Sequence, residues 1–297
     1  MVCSRPFMTS RARAIVDGIG VRRLALTIAG ILIANSHALA TWSIIAVDRK
    51  TGQIVIASAT CVPQQAFSRF PAKGLKDVQA IIIPGRGVAA AQANVDRARR
   101  MQKLIADELK RGTPPAHIIE MLKAEDPNHP SRQYGIVDLE GRVAGYSGAT
   151  NGKQSLDRQG QVKGTKLSYS VQGNILAGDD VIEDAVKSFI NTKGSLADRV
   201  MAAMEAADAR GGDRRCNCNT PPDPPAACDN KTAHVAYIVA ANKADKMGEG
   251  LNDGRYFLEI DVTDENIRAG ENDNPVKTLR LRYDRWRRER RTRAASR

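Results

Sequence analysis

Residues 41–60 read TWSIIAVDRKTGQIVIASAT, and this stretch predicts the β-hairpin on which the rest of the fold depends. Thr41 to Val47 is typical of a strand, residues 48–52 of a turn, and Gln53 to Ser58 of a second strand. The hairpin therefore pairs its two strands antiparallel.

The remaining elements continue this mixture. Further strands are predicted at 78–83, 87–93, 133–138, 142–147, 167–176, 235–240 and 256–261. Helices are predicted at about 95–111, 114–124, 180–190 and 196–209. Hairpins outnumber strand–helix–strand crossovers, so the sequence predicts an α+β protein whose helices pack on antiparallel sheets. Neither an internal repeat nor a phosphate-binding glycine loop is visible.

The net charge of +12 suggests a polyanion partner until its position along the 297-residue chain is considered. Residues 1–40 carry five arginines and one aspartate, and residues 280–297 carry nine arginines and two acids. The body between them has a net charge of only about +1. We therefore expect no nucleic-acid partner for the body.

The first forty residues resemble an export signal. Arginines 5, 11, 13, 22 and 23 form a basic region, Leu24 to Ala34 is largely apolar, and Ala38 and Ala40 form an Ala-x-Ala cleavage pattern. The apolar run is too short to span a bilayer as a helix. We expect a periplasmic or secreted protein, by the general or the twin-arginine route; an uncleaved signal anchor is the alternative.

Cleavage after Ala40 makes Thr41 the first residue of the mature chain. An N-terminal threonine has a hydroxyl and an α-amine on neighbouring carbons, and the amine has a pKa near 8. The amine can remove the hydroxyl proton and so activate a nucleophile without a histidine. Threonine is also an ordinary first residue, so position alone does not decide the matter.

Four stretches then carry a resemblance to a known family. They are residues 41–48 (TWSIIAVD), 132–138 (RQYGIVD), 170–178 (SVQGNILAG) and 211–215 (GGDRR). Together they resemble an uncharacterised bacterial and archaeal family placed in the N-terminal-nucleophile (Ntn) hydrolase superfamily. The resemblance runs from Thr41 to about Leu279, and it implies a four-layer αββα sandwich with Thr41 as the nucleophile.

The mechanism needs accompanying residues, and candidates lie in the family-like stretches and at the end of the predicted strand 87–93. Asn174 and Gln172 are candidate catalytic residues that would stabilise an oxyanion. Asp213, Arg214 and Gln92 are candidates for binding substrate: Arg214 could hold a carboxylate with two hydrogen bonds, and Asp213 could orient that arginine or the α-amine of Thr41. Each also has a structural interpretation, as a polar strand end or an ion pair, and Asn94 beside Gln92 is equally plausible as a helix N-cap.

Cysteine spacing favours disulfides over a metal site. Cys216, Cys218 and Cys228 lie in a Pro-rich insert at 216–230, and Cys61 completes an even number in the mature chain. Three full pairings are open, and a bond from Cys228 to Cys216 or Cys218 would close the insert. The histidines show no metal or triad spacing, so neither a metal nor a cofactor is expected.

The chain is thus divided into a signal peptide at 1–40, an Ntn-hydrolase-like domain at 41–277 and a basic helix or tail at 278–297. Val276, Leu279, Tyr283 and Trp286 form one apolar stripe after the helix start at Asn274-Pro275. The stripe predicts a helix docked on the body, and its arginines suggest electrostatic contact with an anionic membrane or cell wall.

Two functions follow from these observations. The first is an exported amidohydrolase acting on a small amide or peptide, with the Thr41 α-amine as base. The second is a non-catalytic envelope-associated binding protein on a degenerate form of the same fold.

Overall fold

The computed structural model describes residues 41–70 and 72–296. The predicted signal peptide lies outside these residues. Within them, no helix combines the length and apolarity that crossing a membrane would require.

Ten strands in the described residues form two antiparallel sheets. The strands are β1 (Thr41–Asp48), β2 (Gln53–Thr60), β3 (Ala80–Ile83), β4 (Gly87–Ala93), β5 (Arg132–Asp138), β6 (Val143–Ser147), β7 (Leu156–Gln161), β8 (Leu167–Asn174), β9 (Val235–Ala241) and β10 (Leu258–Thr263). One sheet has the order β10-β9-β2-β1-β8-β7 and the other the order β3-β4-β5-β6. The opening hairpin therefore supplies the two central strands of the larger sheet.

Alternation along β1 divides its side chains between two cores. Ile45 and Val47 pack between the sheets, where they meet residues of β4 and β5 such as Val88 and Val137. Trp42, Ile44 and Ala46 point to the opposite face. Because successive side chains of a strand alternate, Thr41 and Ser43 lie on the same face as Ile45, between the two sheets.

Helices cover the outer faces of both sheets. These outer helices are α2 (Arg100–Arg111), α3 (Pro115–Glu125), α4 (Asp180–Asn191), α5 (Leu196–Ala209) and α6 (Pro275–Ala295), whereas α1 (Leu75–Gln79) packs Leu75 and Val78 into the core between the sheets. Helices α4, α5 and α6 bury apolar side chains against the larger sheet, and α2 and α3 do so against the smaller one. Short 3-10 helices lie at Gln64–Arg69 and His129–Ser131.

Helix ends follow local capping chemistry. Ser195 and Asp198 form a reciprocal capping box at the start of α5. The Asn274 side chain accepts a hydrogen bond from the backbone N–H of Val276, and Pro275 occupies the first turn of α6. The predicted start of the C-terminal helix is confirmed, and its first two turns belong to the core through Val276 and Leu279.

The prediction of an α+β protein with antiparallel sheets is confirmed, whereas several element boundaries are wrong. Helix α2 begins at Arg100 and not near Val95, because the Asp96 carboxylate accepts the N–H groups of Ala98 and Met101 and holds a turn there. Asn94 is therefore no N-cap, and its side chain donates to Ser131. Strand β7 was not predicted, since its sequence LDRQGQ lacks apolar alternation.

Candidate active site

Thr41 lies at the start of the central strand β1, between the ends of two neighbours. Its register partners are Thr60 on β2 and Asn174 on β8. Thr41 and Asn174 are both almost wholly buried. The ends of two neighbouring strands of the larger sheet thus bring together residues that are 133 positions apart in sequence.

The two ends of the Asn174 amide have different surroundings. Its Oδ1 accepts a hydrogen bond from the Thr41 nitrogen at 3.1 Å. Its Nδ2 is buried and has no hydrogen-bond partner among the described residues. A buried donor without a partner costs roughly 1–3 kcal/mol, so this amide group is the kind of exception that a functional role explains.

A network of buried amides fills the polar part of the space between the sheets. Gln92 on β4 donates from Nε2 to the Thr41 carbonyl oxygen at 3.1 Å and to Gln133 Oε1 at 2.8 Å. Gln92 Oε1 accepts from Ser43 Oγ and from Gln79 Nε2, each at 2.6 Å. The network fixes the backbone of Thr41 against the second sheet.

Gln133 on β5 continues the network to the other side. Its Nε2 donates to Ser147 Oγ and to the Gly173 carbonyl, each at 2.8 Å. Gly173 directly precedes Asn174, so the same amide group that contacts Gln92 also positions the strand end that carries Asn174. Gln133 is fully buried, and replacing it would leave several polar groups unpaired.

Gln172 occupies a different place from the one that its candidate role requires. It lies opposite Ser43 in the register, donates to Ser43 Oγ and accepts from Ser170 Oγ at 2.8 Å. Its amide therefore orients Ser43 within the network. Gly135 makes this possible, because a Cβ there would lie 2.2 Å from Gln172 Oε1.

The loop at residues 211–215 reaches the same end of the sheet. Gly212 has a φ of +45°, and a Cβ on it would lie 2.5 Å from the Trp42 ring, so only glycine lets the loop lie against this ring. Asp213 is fully buried, and its carboxylate accepts from the Cys61 N–H at 2.9 Å and from Arg215 Nη2 at 2.8 Å.

Asp213 thus pairs with Arg215, and sequence reasoning had placed it beside Arg214 or the α-amine. Arg214 is exposed and donates from Nη1 to Gln154 Oε1 at 3.3 Å. Both residues lie in a loop held close to the β2 end that faces Thr41, but the Asp213 carboxylate already accepts hydrogen bonds from Arg215 and from the Cys61 N–H.

Two disulfides fix the loop and the insert. Cys218 and Cys228 are bonded, which confirms the predicted closure of the insert. Cys61 is bonded to Cys216 across a sequence separation of 155 residues. Because Cys61 follows the register partner of Thr41, this second bond ties the 211–215 loop to the candidate site.

His234 lies beside the Cys61–Cys216 bond. It is 1% exposed, and its Nδ1 has no hydrogen-bond partner among the described residues. Burial, with smaller contributions from the nearby cations Lys231 and Arg215, lowers the pKa of His234 to about 4. The imidazole is therefore neutral near pH 7.

Several residues of the site were not predicted from the sequence. Gln79 was predicted to lie in the strand 78–83 but ends helix α1, and Gln133 was quoted only as part of a motif. Ser43, Gln79 and Gln133 share a sequence signal, which is a polar residue within or beside an otherwise apolar element. Their convergence depends on the pairing of two sheets and cannot be read from one strand.

The model of a family of unknown function, DUF1028, matches residues 41–219, so the match begins at Thr41. A crystal structure of a DUF1028 protein from Silicibacter pomeroyi is similar, with 19% identity and a TM-score of 0.58 over 83% of this chain and 88% of that one. No curated protein matches the chain.

The family match covers well over half of the chain and contains β1, the amide network and the 211–215 loop. Its end at residue 219 falls inside the disulfide-closed insert. This chain belongs to the DUF1028 family.

Proposed function

We propose that this protein is an N-terminal-nucleophile amidohydrolase in which Thr41 attacks the carbonyl carbon of a small amide or peptide. The observation that carries the proposal is the Asn174 side chain, whose Oδ1 contacts the Thr41 nitrogen while its Nδ2 is left without a partner. Two sheets with helices on their outer faces are compatible with the four-layer αββα sandwich of Ntn hydrolases, which is part of this proposal.

Removal of residues 1–40 converts the Thr41 nitrogen from a peptide N–H into an α-amine. A neutral amine has two N–H groups and one lone pair. When one N–H is donated to Asn174 Oδ1, rotation about the Cα–N bond is restricted, so the lone pair has a defined direction. The amine then takes the hydroxyl proton of Thr41 directly or through water.

The reaction follows in two steps. Thr41 Oγ bonds to the amide carbon while its proton moves to the α-amine, and the carbonyl oxygen becomes an oxyanion that accepts from Asn174 Nδ2. The C–N bond then breaks, and the leaving nitrogen takes the proton. Water attacks the resulting ester by the same proton route, which releases the acid and restores Thr41.

Gln92 has a supporting role in this proposal. Its hydrogen bond to the Thr41 carbonyl fixes the residue from the side opposite to Asn174. Because its oxygen already accepts from Ser43 and Gln79, the amide orientation is set, and Gln92 acts by positioning Thr41.

Export is the second part of the proposal. Two disulfides support it, because such bonds persist mainly in oxidising compartments. The start of the family match at Thr41 supports cleavage of the leader at that bond. Mass spectrometry of the native mature protein tests both, and a mature chain that retains residues before Thr41 would contradict the mechanism.

The enzymatic test compares chains with defined N-termini against an amide library. The chain that begins at Thr41 and its Thr41→Ser variant should release amine, whereas Thr41→Val, which keeps the shape without the hydroxyl, should not. A chain that retains Ala40 keeps the hydroxyl but has no α-amine at Thr41, so it should be inactive too. Equal activity of this blocked chain would refute the role of the amine.

A non-catalytic envelope protein is the second candidate, and the distal half of α6 favours it. Arg285, Arg288, Arg291 and Arg293 are exposed and form no ion pair with a carboxylate among the described residues, whereas Arg280 and Arg282 pair with Glu205 and Glu271. Normal biological function of Thr41→Val, with loss on removal of these arginines, would favour this candidate.

A further inference from the structure

We propose that Cys61, Cys216 and His234 form a site with two states, a disulfide with a neighbouring imidazole when oxidised and a zinc-binding site when reduced. The inference concerns residues outside the proposed hydrolytic machinery and does not depend on it. Three observations carry it: the approach of the three donors, the unpartnered nitrogen of His234, and the balance of charge around them.

The donor atoms are already close together. One sulfur from each cysteine and a ring nitrogen of His234 lie within 4.8 Å of one another. Zinc bonds of about 2.3 Å to sulfur and about 2.0 Å to nitrogen place tetrahedral donors roughly 3.5–3.8 Å apart. Small side-chain rotations after the S–S bond opens would therefore bring the three atoms to zinc, with the fourth position left to water.

His234 supplies the second, independent observation. A buried polar nitrogen normally has a hydrogen-bond partner, yet Nδ1 of this almost fully buried residue has none among the described residues. The backbone of His234 is fixed, because its N–H donates to the Thr60 carbonyl at 2.8 Å and its carbonyl accepts from the Asp264 N–H at 3.0 Å. The imidazole is thus held beside the cysteines.

The surrounding charges permit a dication. The two cations nearest to His234 already face carboxylates: Lys231 Nζ lies 3.0 Å from Asp273 Oδ1, and Arg215 Nη2 lies 2.8 Å from Asp213 Oδ2. Two thiolates would neutralise the zinc charge. A mixed sulfur and imidazole donor set is also one that zinc favours over the harder calcium and magnesium ions.

A dithiol reductant supplies the electrons that convert the disulfide state into the zinc-binding state. Two electrons from the dithiol open the Cys61–Cys216 bond, the protein gains two thiols, and the reductant closes into its own disulfide. Zinc then bonds both sulfurs while two protons leave, and the neutral His234 ring donates its lone pair. In both the oxidised and the zinc-bound state Cys61 and Cys216 link the 211–215 loop to the end of β2, and only the reduced, metal-free chain lacks this link.

The other disulfide provides a matched control within the same chain. Cys218 and Cys228 are separated by only 10 residues, and no third donor completes a metal cluster with them among the described residues. All chains are reduced before the test, so neither wild type nor any variant contains a disulfide. Differences in zinc binding between wild type and the cysteine variants therefore do not arise from the loss of a cross-link. Far-ultraviolet circular dichroism checks that each chain is folded.

The experiment titrates zinc into reduced wild-type protein, and cobalt into a parallel sample for its sulfur-to-metal charge-transfer absorption. Wild type and Cys218→Ser/Cys228→Ser should bind one equivalent, whereas Cys61→Ser/Cys216→Ser should lose both binding and the charge-transfer band. His234→Gln should lower the affinity for zinc by at least roughly 10–100-fold, which is the loss caused by removing a residue that only supports a metal ligand. Zinc should also raise the melting temperature of reduced wild type.

Three results would overturn the proposal. These are no saturable zinc uptake by reduced wild type, equal uptake when Cys61 and Cys216 are both serine, or unchanged affinity in His234→Gln. The last result would leave a two-thiol contact without the imidazole, which is not the site proposed.

Discussion

Replacement of Asn174 by leucine separates a functional amide from a structural one. The side chain is fully buried, and leucine has nearly the same shape. The change removes the Oδ1 acceptor of the Thr41 nitrogen, a loss of about 0.5–1.5 kcal/mol for an ordinary hydrogen bond. It also removes the unpartnered Nδ2, whose burial costs roughly 1–3 kcal/mol.

These contributions oppose each other, so the free energy of unfolding of Asn174→Leu should be unchanged or higher by about 1 kcal/mol. Catalysis should behave differently, because loss of one oxyanion donor typically reduces the rate by about 100–1000-fold. The stability is measured by urea denaturation. The rate is measured as acylation of the mature Thr41 by a β-lactone electrophile, followed by intact mass and peptide mapping.

Asn151 is the matched control. It is also buried, its Nδ2 donates to the Arg132 carbonyl at 2.8 Å, and its Oδ1 has no partner among the described residues. Asn151→Leu should therefore have a similarly small effect on stability and none on acylation. The reasoning is refuted if both variants lose acylation equally, or if Asn174→Leu destabilises the protein by more than about 2 kcal/mol while acylation persists.

Three further predictions concern the amide network, pH and the C-terminal helix. Gln133→Met should destabilise the protein by roughly 2 kcal/mol or more, because several buried polar groups lose their partner; a change below about 0.5 kcal/mol in urea denaturation would contradict the network. His234 has a folded pKa of about 4 against an ordinary 6.5, so the unfolded chain binds the extra proton and stability falls as pH decreases from about 6.5 to 4. In the oxidised protein, His234→Gln should remove up to about 3 kcal/mol of that pH dependence, and an unchanged slope would refute it. Changing Arg288, Arg291 and Arg293 to glutamine should weaken sedimentation with phosphatidylserine vesicles about 100-fold at low salt, at about 1 kcal/mol per arginine; binding that ignores both salt and these changes would exclude an electrostatic contact.

The sequence was most informative where local pattern decides structure. The 41–60 hairpin, the Asn274-Pro275 helix start and the closure of the insert by Cys228 were all predictable, because turn residues, caps and short cysteine spacings act over a few positions. Predicted helix boundaries were wrong where a side chain accepted backbone N–H groups and held a turn, as Asp96 does before α2. The polar strand β7 was not predicted, because its sequence has no apolar alternation.

The candidate site was only partly predictable. Thr41 and Asn174 were named from the chain, but their contact needed the antiparallel register of β1 and β8. Gln172 was predicted to stabilise an oxyanion, but its amide is hydrogen-bonded to Ser43 and Ser170 instead. Gln79 and Gln133 were missed, since a buried glutamine in an apolar stretch gives no indication of which partner it meets across two sheets.

The sequence by itself determined the α+β class, the position of the central hairpin and the chemistry available at Thr41, because these depend on residue type and local periodicity. The tertiary structure alone decided that Asn174 Oδ1 would accept a hydrogen bond from the Thr41 nitrogen, that Asp213 would accept one from the Cys61 N–H, and that Cys61 would lie beside Cys216 and His234. Such contacts join residues more than a hundred positions apart or loops brought together by folding. They follow from sheet pairing and close packing, which no single segment encodes.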